Sequence, residues 1–308
     1  MIGVLIQGRT AAEAVAQIEQ AEQAGVPAAW ATMGGAGGAD MLATFAAAAA
    51  KTSRILLGTA ILHTWPRHPV VFAQEALAID QLAPGRLRLG LGPGGAPAVE
   101  RSYGIEFRTP LTNVREYVTT LRALLHDGEA TFAGTHVRVQ HRLGQTAAGP
   151  VMAAALRERA FALAGEVADG AISWLGPRGY LVRHALPALR AGAERAGRAA
   201  PPLVAHVPVA VTPDREAARA LAREQFAFFL RPPAYREMFE LAGFPPDDGF
   251  SDALLDELIV SGTRDEVAAG LRGWLDAGMG EVIAHPLIDA ADRDGSIARV
   301  FEAVAAAR

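Results

Sequence analysis

The chain has 308 residues, 51% of them hydrophobic and 20% charged, with a net charge of −4; this is ample for a large buried core and gives no sign of a nucleic-acid partner. It has no cysteine, which excludes disulfides, thiolate zinc sites and thiol nucleophiles. The opening MIGVLIQGRT lacks a basic leader region, and the longest apolar run, Met41 to Ala50, is about half of a membrane span, so the expectation is a soluble, cytoplasmic protein with no membrane partner.

In chain order, strand-length apolar runs at Ile2–Gln7, Ala28–Thr32, Ile55–Leu62, Arg86–Leu91, Val151–Ala155, Gly170–Trp174, Leu203–Thr212 and Val282–Leu287 alternate with segments of helical period. The helical segments are Ala11–Ala24, Pro69–Leu82, Asn113–His126, Leu156–Val167, Arg178–Ala196, Asp214–Phe229 and Arg264–Ala277, with Asp292–Ala307 left to supply the eighth. Thr10 and Asp214 read as helix openings, Gly25 and Gly278 as closures. Several strands are apolar on both faces, as parallel strands covered by helices are. Eight strand-then-helix steps point to an α/β fold, a (β/α)8 TIM barrel in one elaborated domain. Two stretches lie outside the repeat: a hairpin at 129–140, around Gly134, and a long excursion at 230–261 with Pro232, Pro233, Pro245, Pro246 and Asp247–Asp248.

In such a barrel the chemistry sits where strands end. The rim residues are then Gln7, Gly8, Thr32, Met33, the His63–His68 segment, Gly92–Gly95, Ala154–Arg157, Trp174–Arg178, Thr212 and His285. GLGPGG at 90–95 satisfies the dinucleotide fingerprint as a string. It sits in the fourth unit, however, and Pro93 and Pro97 are expected to obstruct the helix that the motif needs. A glycine loop that lets backbone approach a flat ligand is the better reading. His63 and His68 straddle Pro66 and cannot share a helix face as metal ligands, and no carboxylate cluster accompanies them, so no metal is expected. His206 and His285 read as hydrogen-bonded core histidines. Trp174 reads equally as a stacking plane for a cofactor or as a cap on the barrel.

LLGTAILHTWPRHPVVFAQEALAIDQLAPGRLRLGLGPG, AALRERAFALAGEVADGAISWLGP, PLVAHVPVAVTPDREAARA and SGTRDEVAAGLRGWLDAG together resemble the luciferase-like monooxygenase superfamily, in its branch of coenzyme F420-dependent oxidoreductases. The resemblance runs over nearly the whole chain. It implies a barrel of the bacterial luciferase type, a flat deazaflavin at the C-terminal face, and a homodimer. It also implies a non-proline cis peptide at Ala60–Ile61, whose bulge supports the central ring. His63 falls where relatives place a polar residue near the pyrimidine end, and is the candidate catalytic side chain. Gly92 is expected to line the ring site. The coenzyme phosphate is expected at backbone amides of Ala154, Ala155, Leu156 and Arg157, with Trp174, Leu175, Gly176 and Arg178 completing the tail channel.

Three departures stand out. Relatives carry Gly-Pro where this chain has Arg157 and Glu158. Arg157 either grips the phosphate or narrows the pocket so that the cofactor differs or is absent. The Asp-His pair that sugar-phosphate-oxidising relatives carry after strand two corresponds here to ATMGGAGG, and their glutamate after strand four falls on Gly95. Without that acid and base, reduction of a small unsaturated or carbonyl-type substrate is expected over oxidation of an alcohol. An FMN-dependent monooxygenase and a cofactor-binding homologue without catalysis are the alternatives.

Overall fold

The structure is a computed structural model that describes residues 1–33, 35–246 and 249–307. Asp247 and Asp248 of the expected excursion, and Gly34 of ATMGGAGG, lie outside the described residues. Within those residues, eight parallel strands close into a barrel: β1 (Ile2–Leu5), β2 (Ala28–Ala31), β3 (Leu56–Thr59), β4 (Leu87–Gly92), β5 (Val151–Ala154), β6 (Ala171–Ser173), β7 (Leu203–Val211) and β8 (Glu281–Pro286). Closure is made by β8 on β1, with Ile2 opposite Val282 and Val4 opposite Ala284.

Strand residues alternate between two cores. Leu5, Ala28, Trp30, Ala60, Met152, Ile172, Val204 and Ile283 fill the lumen, and the other set packs beneath the helices. Trp30 is fully buried there. A Cβ on Gly58 would stand 2.3 Å from its ring, so the small residues that dilute the third strand make room for this plug. Below it Arg88 pairs with Glu281 and places its guanidinium 5.7 Å from the Trp30 ring.

The expected third strand divides. It stops at Thr59 and resumes as Leu62–His63, which pairs with Leu91 and Gly92 of β4. Two helices carry no expectation from the sequence. Met41–Lys51, capped by Asp40, is a run of alanines with little contrast between faces, so its period is weak. Ala96–Tyr103 opens directly after Gly95 with Pro97 in its first turn. The expectation that proline blocks a helix there is therefore wrong, because a first-turn proline loses no hydrogen bond.

The hairpin forms as Glu129–Ala133 against Arg138–Arg142. The excursion holds helices Pro233–Leu241 and Asp252–Leu258 and an unexpected short strand, Val260–Gly262, parallel to the upper half of β7. The eighth helix forms as Arg293–Ala306. No helix among the described residues is long and apolar enough to cross a membrane.

Candidate active site

The end of β3 is locked to β4 by its threonine. Thr59 Oγ1 donates to the Gly90 carbonyl (2.9 Å) and accepts from the Gly90 amide (2.8 Å). The next peptide, Ala60–Ile61, is cis. Both of its flanks are tied to the end of β2: the Ala60 amide donates to Ala31 (2.8 Å), and the Ile61 carbonyl accepts from Met33 (3.1 Å). On the other side stands Gly92, where a Cβ would lie 2.7 Å from Ala154 Cβ and 2.9 Å from Ile61 Cδ1. Three strand ends therefore converge beside the cis bond.

His63 lies under the glycine loop. Gly94 has φ +65°, and a Cβ there would stand 2.4 Å from His63 Nε2. The imidazole Nδ1 is buried without a partner, and burial holds the ring's pKa below its ordinary value, favouring the neutral form. The costly side chains that follow are anchors. Trp65 Nε1 donates to the Pro93 carbonyl (2.8 Å), pinning the loop. Arg67 pairs with Asp40 and Glu75, and His68 caps the next helix by accepting from the Val70 amide (3.3 Å).

At the exit of β5 the expected anion site narrows. The Ala155 amide is committed to the Ile172 carbonyl (2.8 Å), so it is not free for a phosphate. The amides of Leu156 and Arg157 have no partner among the described residues, and Arg157 opens the helix Glu158–Val167 without a side-chain cap. A helix start with free amides suits an anion. The Arg157 guanidinium reaches into the excursion and pairs with Glu237, both about half exposed.

At the exit of β6, Leu175 is wholly buried with φ 50°, and Gly176 packs against Leu181, whose Cδ2 would lie 2.7 Å from a Cβ. Arg178 is exposed; its guanidinium lies beside Gly273 and makes no hydrogen bond to the β5 exit. Of the groups expected at these two exits, the Ala155 amide is already bonded within the protein and Leu175 is closed off from the surface.

A cavity of about 390 Å³ opens where β1, β2, β6 and β8 end, with Gln7, Thr32, Trp174, His285 and Arg293 in its wall. Trp174 stacks on His206 at 3.5 Å between centroids and 16° between planes, and its Nε1 is buried without a partner. One face of the indole is therefore taken by a histidine. His206 Nε2 and His285 Nδ1 are 2.6 Å apart. Both rings are buried, and burial lowers both pKa values far below the ordinary histidine value. They are hydrogen-bonded core histidines, as expected, and His285 borders the cavity besides. Their partnership is the feature the sequence reading missed. In the pairing of β7 with β8, His206 stands opposite Ile283, two residues before His285, so both rings face the lumen side by side; that register is a long-range property for which the sequence offers no signal.

The excursion reaches this corner through Phe229, the residue just before it: the Phe229 ring lies 6.4 Å from Trp174 and 5.0 Å from Tyr235, and within the excursion Phe239 lies 5.8 Å from Phe250.

A family model described as luciferase-like monooxygenase matches residues 3–281. An F420-dependent glucose-6-phosphate dehydrogenase of Kineococcus radiotolerans is 32% identical over 255 residues, which are 77% of this chain and 74% of that protein. The coenzyme F420-dependent tetrahydromethanopterin reductase of Methanopyrus kandleri superposes with a TM-score of 0.82 at 21% identity, covering 98% of this chain and 97% of its own. An F420-dependent secondary alcohol dehydrogenase, solved with an F420-acetone adduct, gives 0.81 at 22%, covering 100% and 99%. With a closed eight-stranded barrel, a bulged third strand and a match over most of its length, this chain belongs to the luciferase-like monooxygenase family.

Proposed function

We propose that the protein is an F420-dependent oxidoreductase acting as a reductase on a small organic substrate with a polarised double bond. The observation that carries this is the meeting of Ile61, Gly92 and Ala154 at three strand ends, within one rim where the amides of Leu156 and Arg157 have no partner among the described residues. Backbone and small side chains there leave a shelf for a planar ring. His63, held neutral by burial, would hydrogen-bond the ring edge through Nε2, which unlike its Nδ1 is not among the buried, unpartnered atoms, and the amides and guanidinium of Arg157 would hold the phosphate. Bound there, the reduced deazaflavin supplies a hydride.

The direction is supported by the cavity wall, which among the described residues includes no Asp or Glu to take a proton from an alcohol. The 230–261 excursion, whose Tyr235 packs on Phe229 and through it on Trp174, would act as the lid that excludes water. The test is fluorescence titration of the full chain with F420 and with FMN. Tight F420 binding without FMN binding is expected. FMN binding alone would make the protein a monooxygenase candidate, and binding of neither would leave a homologue without catalysis.

A further inference from the structure

The two histidines in series fix which hydrogen each can offer. The Leu175 amide donates to His206 Nδ1 (3.4 Å), so that nitrogen carries no hydrogen and the ring is protonated at Nε2. His206 Nε2 therefore donates across the 2.6 Å contact, and His285 Nδ1 accepts. A neutral imidazole has one N–H, so that of His285 sits on Nε2. This atom has no partner among the described residues, and His285 is part of the cavity wall. It is absent from the buried, unpartnered side-chain atoms, unlike the neighbouring Trp174 Nε1, as expected if the cavity reaches it.

We propose that this cavity receives a substrate bearing a carbonyl or imine group, and that His285 Nε2–H donates a hydrogen bond to that group's oxygen or nitrogen. The assignment rests on the reductase reading for its chemistry and on the hydrogen-bond chain for its geometry. A ring already protonated at Nε2 is no base for an alcohol proton; it is a donor. When a hydride from the reduced deazaflavin reaches the carbonyl carbon, the π pair moves to oxygen, where the preset N–H meets the developing charge. The N–H bond does not break. The proton that completes the alcohol comes from water at the cavity mouth.

His206 is a positioning residue: it touches no substrate and acts by setting the tautomer of His285, with Trp174 stacked on it to hold its plane. His285 also lies beyond residues 3–281 that the family model matches, so the match itself assigns it nothing.

The test uses the full chain, free of cofactor, with ring-¹⁵N histidine, and assigns the His285 signals by their loss in His285→Phe. The expected result is a neutral His285 with hydrogen on Nε2, whose N–H resonance shifts as cyclohexenone is added. His206→Gln keeps an acceptor for the Leu175 amide and a donor for His285, and should retain that tautomer. His206→Phe keeps the stack and should release it. With reduced F420 and cyclohexenone, His285→Phe should lose about 100-fold in kcat with a smaller change in KM, the scale of losing one oxyanion donor.

Hydrogen on Nδ1 of His285, a resonance unmoved up to the solubility of cyclohexenone, or equal behaviour of the Gln and Phe variants at position 206 each overturns the proposal. F420 titration separates the two readings. A responding His285 in a chain that does not bind F420 upholds the carbonyl site and removes the reductase, whereas a silent His285 in a chain that binds F420 removes the donor alone.

Discussion

At the scale of the residue, Gly92 decides the shape of the shelf. A methyl group there would meet Ala154 Cβ at 2.7 Å and Ile61 Cδ1 at 2.9 Å; the isoleucine methyl can turn away, whereas the alanine Cβ is fixed to its backbone. Crowding of this kind costs about 1–3 kcal/mol, and the relief open to Ala154 is to shift the end of β5, which leads into the Leu156 and Arg157 amides. Gly92→Ala should therefore lower the unfolding midpoint and weaken F420 binding at least tenfold. Gly95, three residues on, has nothing within 4 Å of a would-be Cβ and has φ −116°; Gly95→Ala should change neither. Thermal unfolding and fluorescence titration of both variants make the comparison, and equal effects would remove Gly92 from the ring site. His63 illustrates what a sequence conveys of such a rim. Its place at a strand exit was legible from the apolar run before it, whereas its position beneath Gly94 depends on a left-handed glycine in another loop.

At the scale of elements, the Arg157–Glu237 pair joins the start of the Glu158–Val167 helix to the Pro233–Leu241 helix of the excursion. Both side chains are about half exposed, and such pairs contribute little to stability. What the pair does is occupy a guanidinium beside two free amides. Glu237→Gln should leave the melting temperature nearly unchanged, tighten F420 binding several-fold and steepen its salt dependence. Arg157→Ala should weaken binding, and adding Glu237→Gln to it should do nothing more; additive effects in that double-mutant cycle would mean that the two residues act separately.

The elements also mark how far the sequence could be read. Barrel strands announce themselves because both faces are apolar, and helices such as Ala11–Ala24 through Thr10 and Gly25. Met41–Lys51 hides in alanine, and Val260–Gly262 is too short to show a period and takes its strand form from β7. The fate of the Ala155 amide was not legible at all. It is spent on Ile172 through the pairing of β5 with β6, and register between strands is a long-range property.

At the scale of the whole molecule, the lumen is stacked with polar groups that apolar neighbours desolvate: the Arg88–Glu281 pair at the floor, Trp30 above it, and the histidine pair at the top. The upper pair links stability to acid. His206 and His285 stay neutral when folded, because burial lowers their pKa values, whereas in the unfolded chain they titrate near 6.5. Below that value the unfolded state binds protons that the folded state refuses, so stability is full above about pH 6.5 and falls as pH drops, by roughly 1.4 kcal/mol per pH unit for each histidine. The carboxylates that accept backbone hydrogen bonds, Glu22 and Glu116, have the opposite starting point. Those bonds outweigh the burial that works against them and leave both pKa values lowered from 4.5. The stability they contribute is present above that value and is lost only as pH falls further. Acid should thus act in two stages, histidines first. Urea unfolding at pH 7, 6 and 5 should show free energy falling with pH for the natural chain and falling less steeply for a His206→Gln, His285→Gln double variant, in which the buried His63 remains. Parallel decline in the two proteins would mean that these rings take up protons within the folded barrel, and that His285 does not stand as a neutral donor at the cavity.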